Sequence, residues 1–332
     1  MPEIRKDPVT GRLVILSAER AQRPQPFALD RNPVDIGPCP FCAGNETMTP
    51  PEVFAYRADQ KHSDRPGWTV RVVPNKYPAV VNDGNSSKYK DGIYEWMNGL
   101  GVHEVIIESP DHVENMAMLS ERQFEQVLLA YRDRMLYLRS DKRWRYILLY
   151  KNQGTEAGAT LPHVHSQLIA LPLVPKEVAD EMTGARGYFD STGDCIYCEL
   201  IRREIHDGRR IVAGNERFVV LCPYASRFSY EVWVLPRKHL SCFDTTPKDD
   251  LAELSRTLRQ ILIRLNRQLA DPPFNYMIHS NPLGEAENGF YHWHMEIVPK
   301  LTQVAGFELG SGSYINPVVP EDAARLLREV AL

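Results

Sequence analysis

No stretch of this chain is apolar for long enough to cross a bilayer, and its first residues, Met1-Pro2-Glu3-Ile4-Arg5-Lys6-Asp7-Pro8, lack the hydrophobic centre of an export signal. Membrane insertion and secretion are therefore not expected, and a cytoplasmic location is. A dominant charge of one sign is also missing. The 39 basic and 43 acidic residues leave a net charge of -4, which argues against nucleic acid or an anionic membrane as partner. Neither low-complexity tracts nor the glycine spacings of a phosphate loop or dinucleotide fingerprint occur. Cysteine is scarce, with 6 in 332 residues, yet four of them form two Cys-x-x-Cys pairs, Cys39/Cys42 and Cys195/Cys198. In a reducing compartment that spacing favours metal over disulfide, and it leaves Cys222 and Cys242 as small buried residues. The 43% hydrophobic and 25% charged residues are ordinary for a globular protein, whose length allows one large domain or two average ones.

What the chain does contain is a near-repetition. Leu161-Pro162-His163-Val164-His165-Ser166-Gln167 is echoed by Phe290-Tyr291-His292-Trp293-His294-Met295-Glu296, and each histidine pair lies downstream of its own Cys-x-x-Cys. Alternate residues of a strand share a face, so His163, His165 and Gln167 are expected to point the same way. Further upstream, His103 through His112 aligns without gaps on Tyr230 through His239, both reading as strands that end at a proline turn. Between these strands and the histidine pairs each half predicts a helix followed by a strand. Ser120 and Gln123 suggest a capping box ahead of Phe124, Val127, Leu128, Tyr131, Met135 and Leu138. Thr246 and Pro247 suggest an N-cap and first helical position ahead of Leu251, Leu254, Leu258, Ile261, Leu262 and Leu265. Strands are expected over 145–150 and 275–278. The polar, glycine-bearing stretch from Met182 to Asp194 marks the expected boundary between repeats at 1–185 and 194–332.

Thiolate and imidazole together suit tetrahedral zinc, and a closed set of four serves structure rather than catalysis. Cys39, Cys42, His112 and His163 make one such set; Cys195, Cys198, His239 and His292 make its counterpart, with His294 an alternative to His292. If metal holds His163, then His165 is free for attack on phosphorus or for proton transfer, and Gln167 offers an amide donor to an anionic oxygen. The preceding loop, Asn152 to Thr160, carries glycines that let backbone N–H groups approach a phosphate. His103 and His279 are expected to satisfy local hydrogen bonds, and the tryptophans to lie in core or interface.

With Cys39-Pro40-Phe41-Cys42, Asn75-Lys76-Tyr77-Pro78-Ala79, Ser109-Pro110-Asp111-His112, Asn152 through Gln167, His292-Trp293-His294 and Ala305-Gly306-Phe307-Glu308-Leu309, the chain resembles the galactose-1-phosphate uridylyltransferase branch of the histidine-triad superfamily. The resemblance implies an α+β fold of two histidine-triad-like repeats merged into an antiparallel half-barrel with flanking helices. It implies a homodimer whose tail, including Phe307 and Glu308, completes the neighbour's site, and a place in galactose and carbohydrate metabolism. It further implies that His165 attacks the α-phosphorus of a nucleotide sugar and that Gln167 binds a phosphoryl oxygen of the nucleotidyl-histidine. Asn152, Gly158 and Thr160 would contact phosphate, Asn75 the nucleoside, and Arg20 and Arg23 the diphosphate. One or two structural zinc ions follow, the second set being open to another divalent metal.

Two departures bear on the reaction. The well-known sugar transferases read His-Pro-His-Gly-Gln where this chain has Val164 and Ser166, and their second metal uses glutamate and histidines where this chain has Cys195 and Cys198. Both features resemble the branch that includes ADP-glucose phosphorylase. The expected activity is transfer of a nucleoside monophosphate from a UDP-glucose type of donor to a hexose 1-phosphate such as galactose 1-phosphate. The alternatives are phosphorolysis of an ADP-glucose type of donor, hydrolysis, or binding without catalysis. Because Glu296 stands where Gln167 stands in the first repeat, the chemistry is expected in the first half only.

Overall fold

The computed structural model describes residues 2–18, 37–58, 62–284 and 288–332. In chain order a hairpin of β1 (Glu3–Lys6) and β2 (Leu13–Leu16) is followed by β3 (Phe54–Arg57), β4 (Trp68–Pro74), an exposed hairpin of β5 (Lys88–Asp91) and β6 (Tyr94–Met97), and β7 (Val102–Ile107). Helix α1 (Glu121–Arg139), β8 (Tyr146–Gln153) and β9 (His165–Leu171) complete the first half. Two helices, α2 (Lys176–Thr192) and α3 (Ile196–Asp207), lead into β10 (Ile211–Gly214), β11 (Phe218–Leu221), β12 (Val232–Pro236), α4 (Lys248–Leu269), β13 (Phe274–His279) and β14 (His294–Pro299). The tail adds α5 (Gly306–Ser311), β15 (Tyr314–Asn316) and α6 (Pro320–Glu329).

Among the described residues ten strands form one sheet in the order β10-β11-β12-β14-β13-β8-β9-β7-β4-β3. Every pairing in it is antiparallel. Each half supplies five strands, and the two runs mirror each other across the β8–β13 seam, as duplication requires. The register carries the symmetry down to single residues: Gln167 pairs with Tyr150, Tyr150 with Met277, and Met277 with Glu296. Gln167 and Glu296 are thus equivalent positions on either side of the seam. The fold is α+β.

The sheet's two faces have different fates. One, carrying Val72, Ile106, Leu149, Leu168, Ile278, Met295 and Val234, packs on α1, α4 and α6 in the main core. On the other face the second half is closed by an apolar cluster of α2 and α3 residues with Val219, Leu221, Trp233 and Leu235. In the first half that face keeps Tyr150, Asn152 and Gln167 only partly covered. A small sheet of β1, β2 and β15 joins the two chain ends.

Several expectations shift. The stretch Met182–Asp194 is mostly helix, because α2 runs through it to an αL cap at Gly193; its glycines lie on a packed helix rather than in a linker. Gly184 shows why, since a Cβ there would stand 1.8 Å from the Val9 carbonyl oxygen. The capping box is half formed: the Ser120 hydroxyl accepts from the Gln123 backbone, but the Gln123 amide donates to the Thr69 and Glu108 carbonyls, both at 2.7 Å. Pro247, not Thr246, is the N-cap of α4. Strand β9 begins at His165 and β14 at His294, so His163 and His292 stand just outside the ladders.

Candidate active site

The loop before β9 and the strand itself separate the two histidines. His163 is fully buried; its Nε2–H donates to the Ser109 carbonyl at 2.9 Å, which turns Nδ1 toward Cys39 and Cys42, both sulfurs at 3.6 Å. His112 Nδ1 lies 3.4 Å from Cys42 Sγ. Ligands of a tetrahedral zinc at normal bond lengths stand about 3.5 Å apart. Three of the donor pairs therefore already have the spacing that such an ion demands, and a carbonyl behind His163 fixes its tautomer as metal ligation needs. The second set repeats it: Cys198 Sγ is 3.4 Å from His239 Nδ1 and 3.6 Å from His292 Nδ1, with Nε2 of each histidine directed to the Asn288 and Pro236 carbonyls. In each set the four ligand atoms lie within 4.8 Å of one another. His292, not His294, belongs to the second set.

His165 is oriented differently. Its Nδ1 lies 2.7 Å from the carbonyl of His163, so a proton there leaves the Nε2 lone pair unprotonated. Burial, and after it the ammonium of Lys151, pushes its pKa below the ordinary imidazole value, which favours the neutral ring. Phe41, from the first metal loop, packs its ring edge-on at 5.3 Å.

Beneath the strand lies a closed polar network. Lys151 Nζ donates to Glu108 Oε2 at 2.6 Å and to the carbonyl of His165 at 2.9 Å, with both side chains essentially fully buried. Glu108 Oε1 accepts from the Tyr131 hydroxyl at 2.6 Å and from Ser166, and Tyr131 also meets Tyr276. Ser166 thus uses its hydroxyl below the sheet while its neighbours work above it. Neither Lys151 nor Glu108 was picked out from the sequence. The lone charge Lys151 in the apolar strand β8 was the available signal, but its pairing with Glu108 depends on register.

Gln167 faces the partly open side, its Oε1 2.8 Å from His103 Nε2 and 3.0 Å from the Tyr150 hydroxyl. Asn75 Nδ2 approaches the same oxygen at 3.4 Å, while its Oδ1 accepts from the Tyr77 N–H. Asn152 sits on β8, its Oδ1 taking a 2.8 Å bond from Asn275. Gly158 lies against Asn152 in the left-handed region at φ +92°, and Thr160 is exposed. Phe307 is exposed on α5, where Glu308 binds the Ala305 N–H at 3.0 Å and so caps its own helix. Helix α5 packs on β15 of the small sheet. Arg20 and Arg23 lie outside the described residues.

The counterpart in the second half is sealed. His294 is 1% exposed and stacks on His279 at 4.8 Å; His279 Nδ1 is 3.1 Å from Glu181 of α2, and Glu296 pairs with Arg227. Glu181, His279, His294 and Glu296 converge closely enough to hold a metal ion, a third such group that sequence spacing did not disclose because Glu181 comes from a helix. His279 was expected to do no more than fill local bonds. Cys222 and Cys242 are buried as expected.

Comparison with known proteins agrees with this geometry. Residues 1–175 match the family model of the galactose-1-phosphate uridyl transferase N-terminal domain, and residues 181–331 match its C-terminal domain. The chain is 38% identical to the ADP-glucose phosphorylase of Arabidopsis thaliana over 100% of this chain and 93% of that one. It is 31% identical to the galactose-1-phosphate uridylyltransferase of Thermotoga maritima, covering 99% and 98%. A crystal structure of the Arabidopsis ADP-glucose phosphorylase with bound ADP-glucose superposes with a TM-score of 0.87 at 37% identity, covering both chains fully. The chain therefore belongs to the galactose-1-phosphate uridyl transferase family, and it is a nucleotidyltransferase.

Proposed function

We propose that this enzyme transfers a nucleoside monophosphate from a nucleotide sugar to a phosphate acceptor through a covalent intermediate on His165. The observation that carries the reading is the 2.7 Å contact of His165 Nδ1 with the His163 carbonyl, which leaves Nε2 unprotonated for attack. Nε2 attacks the α-phosphorus, the bond from that phosphorus to the bridging oxygen breaks, and hexose 1-phosphate departs. The phosphorylated ring is cationic, and its Nδ1–H remains bonded to the His163 carbonyl. An acceptor phosphate oxygen then attacks the same phosphorus and returns neutral imidazole. Gln167 binds a phosphoryl oxygen, and Asn152, Gly158 and Thr160 supply further phosphate contacts.

The preferred acceptor is inorganic phosphate and the preferred donor an ADP-glucose type of nucleotide sugar. Two things support this: the greater identity to the Arabidopsis phosphorylase, and the departures at Ser166 and at Cys195/Cys198. The second reading, UDP-glucose with galactose 1-phosphate as acceptor in galactose metabolism, is favoured by the full-length likeness to the Thermotoga uridylyltransferase. Zinc at Cys39, Cys42, His112 and His163, and again at Cys195, Cys198, His239 and His292, serves the fold; the first set anchors the strand that carries His165. Asn75 contacts the nucleoside and Arg20 and Arg23 the diphosphate. The working unit is a cytoplasmic homodimer of two-repeat chains, 1–185 and 194–332, in which Phe307 and Glu308 complete the neighbour's site.

A matrix of UDP-, ADP- and GDP-sugars against phosphate, galactose 1-phosphate or no acceptor tests the proposal. Phosphate-dependent release of ADP from ADP-glucose is the expected result. Turnover that needs no acceptor would assign a hydrolase instead. With α-labelled donor, acid-labile label is expected on the wild-type chain and none on His165→Ala.

A further inference from the structure

We propose that His103 is a positioning residue for this reaction, holding the Gln167 amide with its NH2 group toward the phosphoryl oxygens. The inference rests on the nucleotidyl-transfer reading above and adds to it the device that sets which end of Gln167 meets the substrate.

The argument is one of donors and acceptors. His103 stands on β7, beside β9, and its Nδ1 accepts the backbone N–H of Ala79 at 3.1 Å. A neutral imidazole that accepts at Nδ1 carries its proton on Nε2, so Nε2 is a donor. That donor lies 2.8 Å from Gln167 Oε1. The same oxygen takes the Tyr150 hydroxyl at 3.0 Å and the Asn75 amide at 3.4 Å. Asn75 has no freedom to turn over, because its Oδ1 is held by the Tyr77 N–H at 2.9 Å. Three donors from β7, β8 and the loop after β4 therefore converge on one end of the Gln167 amide.

A carboxamide has an acceptor end and a donor end, and rotating it by half a turn exchanges them. Turned over, Gln167 would set its N–H groups against those of His103 and Asn75 and lose the acceptor they share. The observed network disfavours that state, with Asn75 Nδ2 also standing 3.2 Å from His103 Nε2. Among the described residues no partner is seen at Gln167 Nε2, the end of the amide able to donate to a phosphoryl oxygen. The backbone contact to Ala79 matters as much as the ring, since it decides the tautomer on which the arrangement depends.

Asparagine and glutamine each reproduce one half of this ring. In His103→Asn the amide oxygen replaces Nδ1 and keeps the Ala79 bond, but nothing reaches Gln167. In His103→Gln the amide nitrogen replaces Nε2 and restores the donor. His103→Asn is expected to lower kcat by about tenfold to a hundredfold with KM for the nucleotide sugar changed less than about threefold, and His103→Gln to stay within about threefold of wild type. In a Gln167→Ala background His103→Asn should cost less than about twofold more, because its partner is gone. The Gln167 side-chain amide resonance, assigned by its loss in Gln167→Ala, should shift in His103→Asn and return in His103→Gln. Equal kcat values for the two variants, an undiminished loss in the Gln167→Ala background, or an unmoved resonance overturns the proposal. The amide resonance reports on His103 even if no nucleotide sugar labels the wild-type enzyme, a result that would sink the functional reading alone.

Discussion

At the scale of single residues, two histidines on one short segment differ in which ring nitrogen the backbone claims. The Ser109 carbonyl takes Nε2 of His163 and leaves Nδ1 facing Cys39 and Cys42; the His163 carbonyl takes Nδ1 of His165 and leaves Nε2 unprotonated. His165→Ala should therefore cost roughly four orders of magnitude or more in kcat while leaving metal content unchanged, as steady-state rates and metal analysis would show. Lys151 is tied to the same carbonyl network from below. Replacing it with Met leaves Glu108 in the core without its cationic partner, and a loss of about 3–5 kcal/mol is expected in urea unfolding. Removing both charges in Lys151→Met/Glu108→Gln should recover most of that stability but not the rate, since the His165 carbonyl would still lack its donor. That His163 turns to Cys39 and Cys42 while His165 does not was legible in sequence from the duplicated spacing. Lys151, Glu108 and His103 were not, because each acts through a partner more than 14 residues away that only strand pairing brings near.

Among the elements, α2 departs most from expectation. The polar, glycine-bearing stretch expected at the boundary between repeats is helical: Gly184 and Gly193 serve close packing and an αL cap, and the helix covers the second half's histidine face. Gly184→Ala should lower stability by about 1–3 kcal/mol or more, read as a fall in Tm, because the added methyl meets the Val9 backbone rather than a yielding side chain. Helix α2 is also bonded to β13 through Glu181 and His279. Burial opposes charge on His279, but Glu181 and then Glu296 outweigh it and raise its pKa from 6.5 to about 9. Burial likewise opposes charge on Glu181, yet His279 lowers it from 4.5 to about 2. A raised histidine contributes stability that is complete below 6.5 and fades as pH climbs through 9; a depressed carboxylate contributes above 4.5 and fades as pH falls through 2. The wild-type unfolding free energy should decline between pH 6.5 and 9 more steeply than that of His279→Gln. Parallel slopes would show that the pair is not linked to folding.

For the whole molecule, duplication followed by unequal covering leaves one face partly open. The seam between β8 and β13 joins two five-stranded halves into one sheet, and α2 with α3 closes the second face while the first retains Gln167 and Tyr150. Metal removal should act on both halves alike. About two zinc ions per chain are expected, and chelation or Cys39→Ser should lower Tm together with activity, whereas an ion of purely catalytic use would affect activity alone. By itself the sequence determined the repeat, the α+β class, the grouping of Cys39, Cys42, His112 and His163, and that of Cys195, Cys198 and His239, because these rest on local spacing and strand periodicity, which the chain carries wherever it folds. Only the tertiary structure decided that His292 rather than His294 joins the second set, that Glu181 seals the second face, and that His103 grips Gln167. Those depend on register and on which helix covers which face, and such contacts between distant segments exist only once the sheet has assembled.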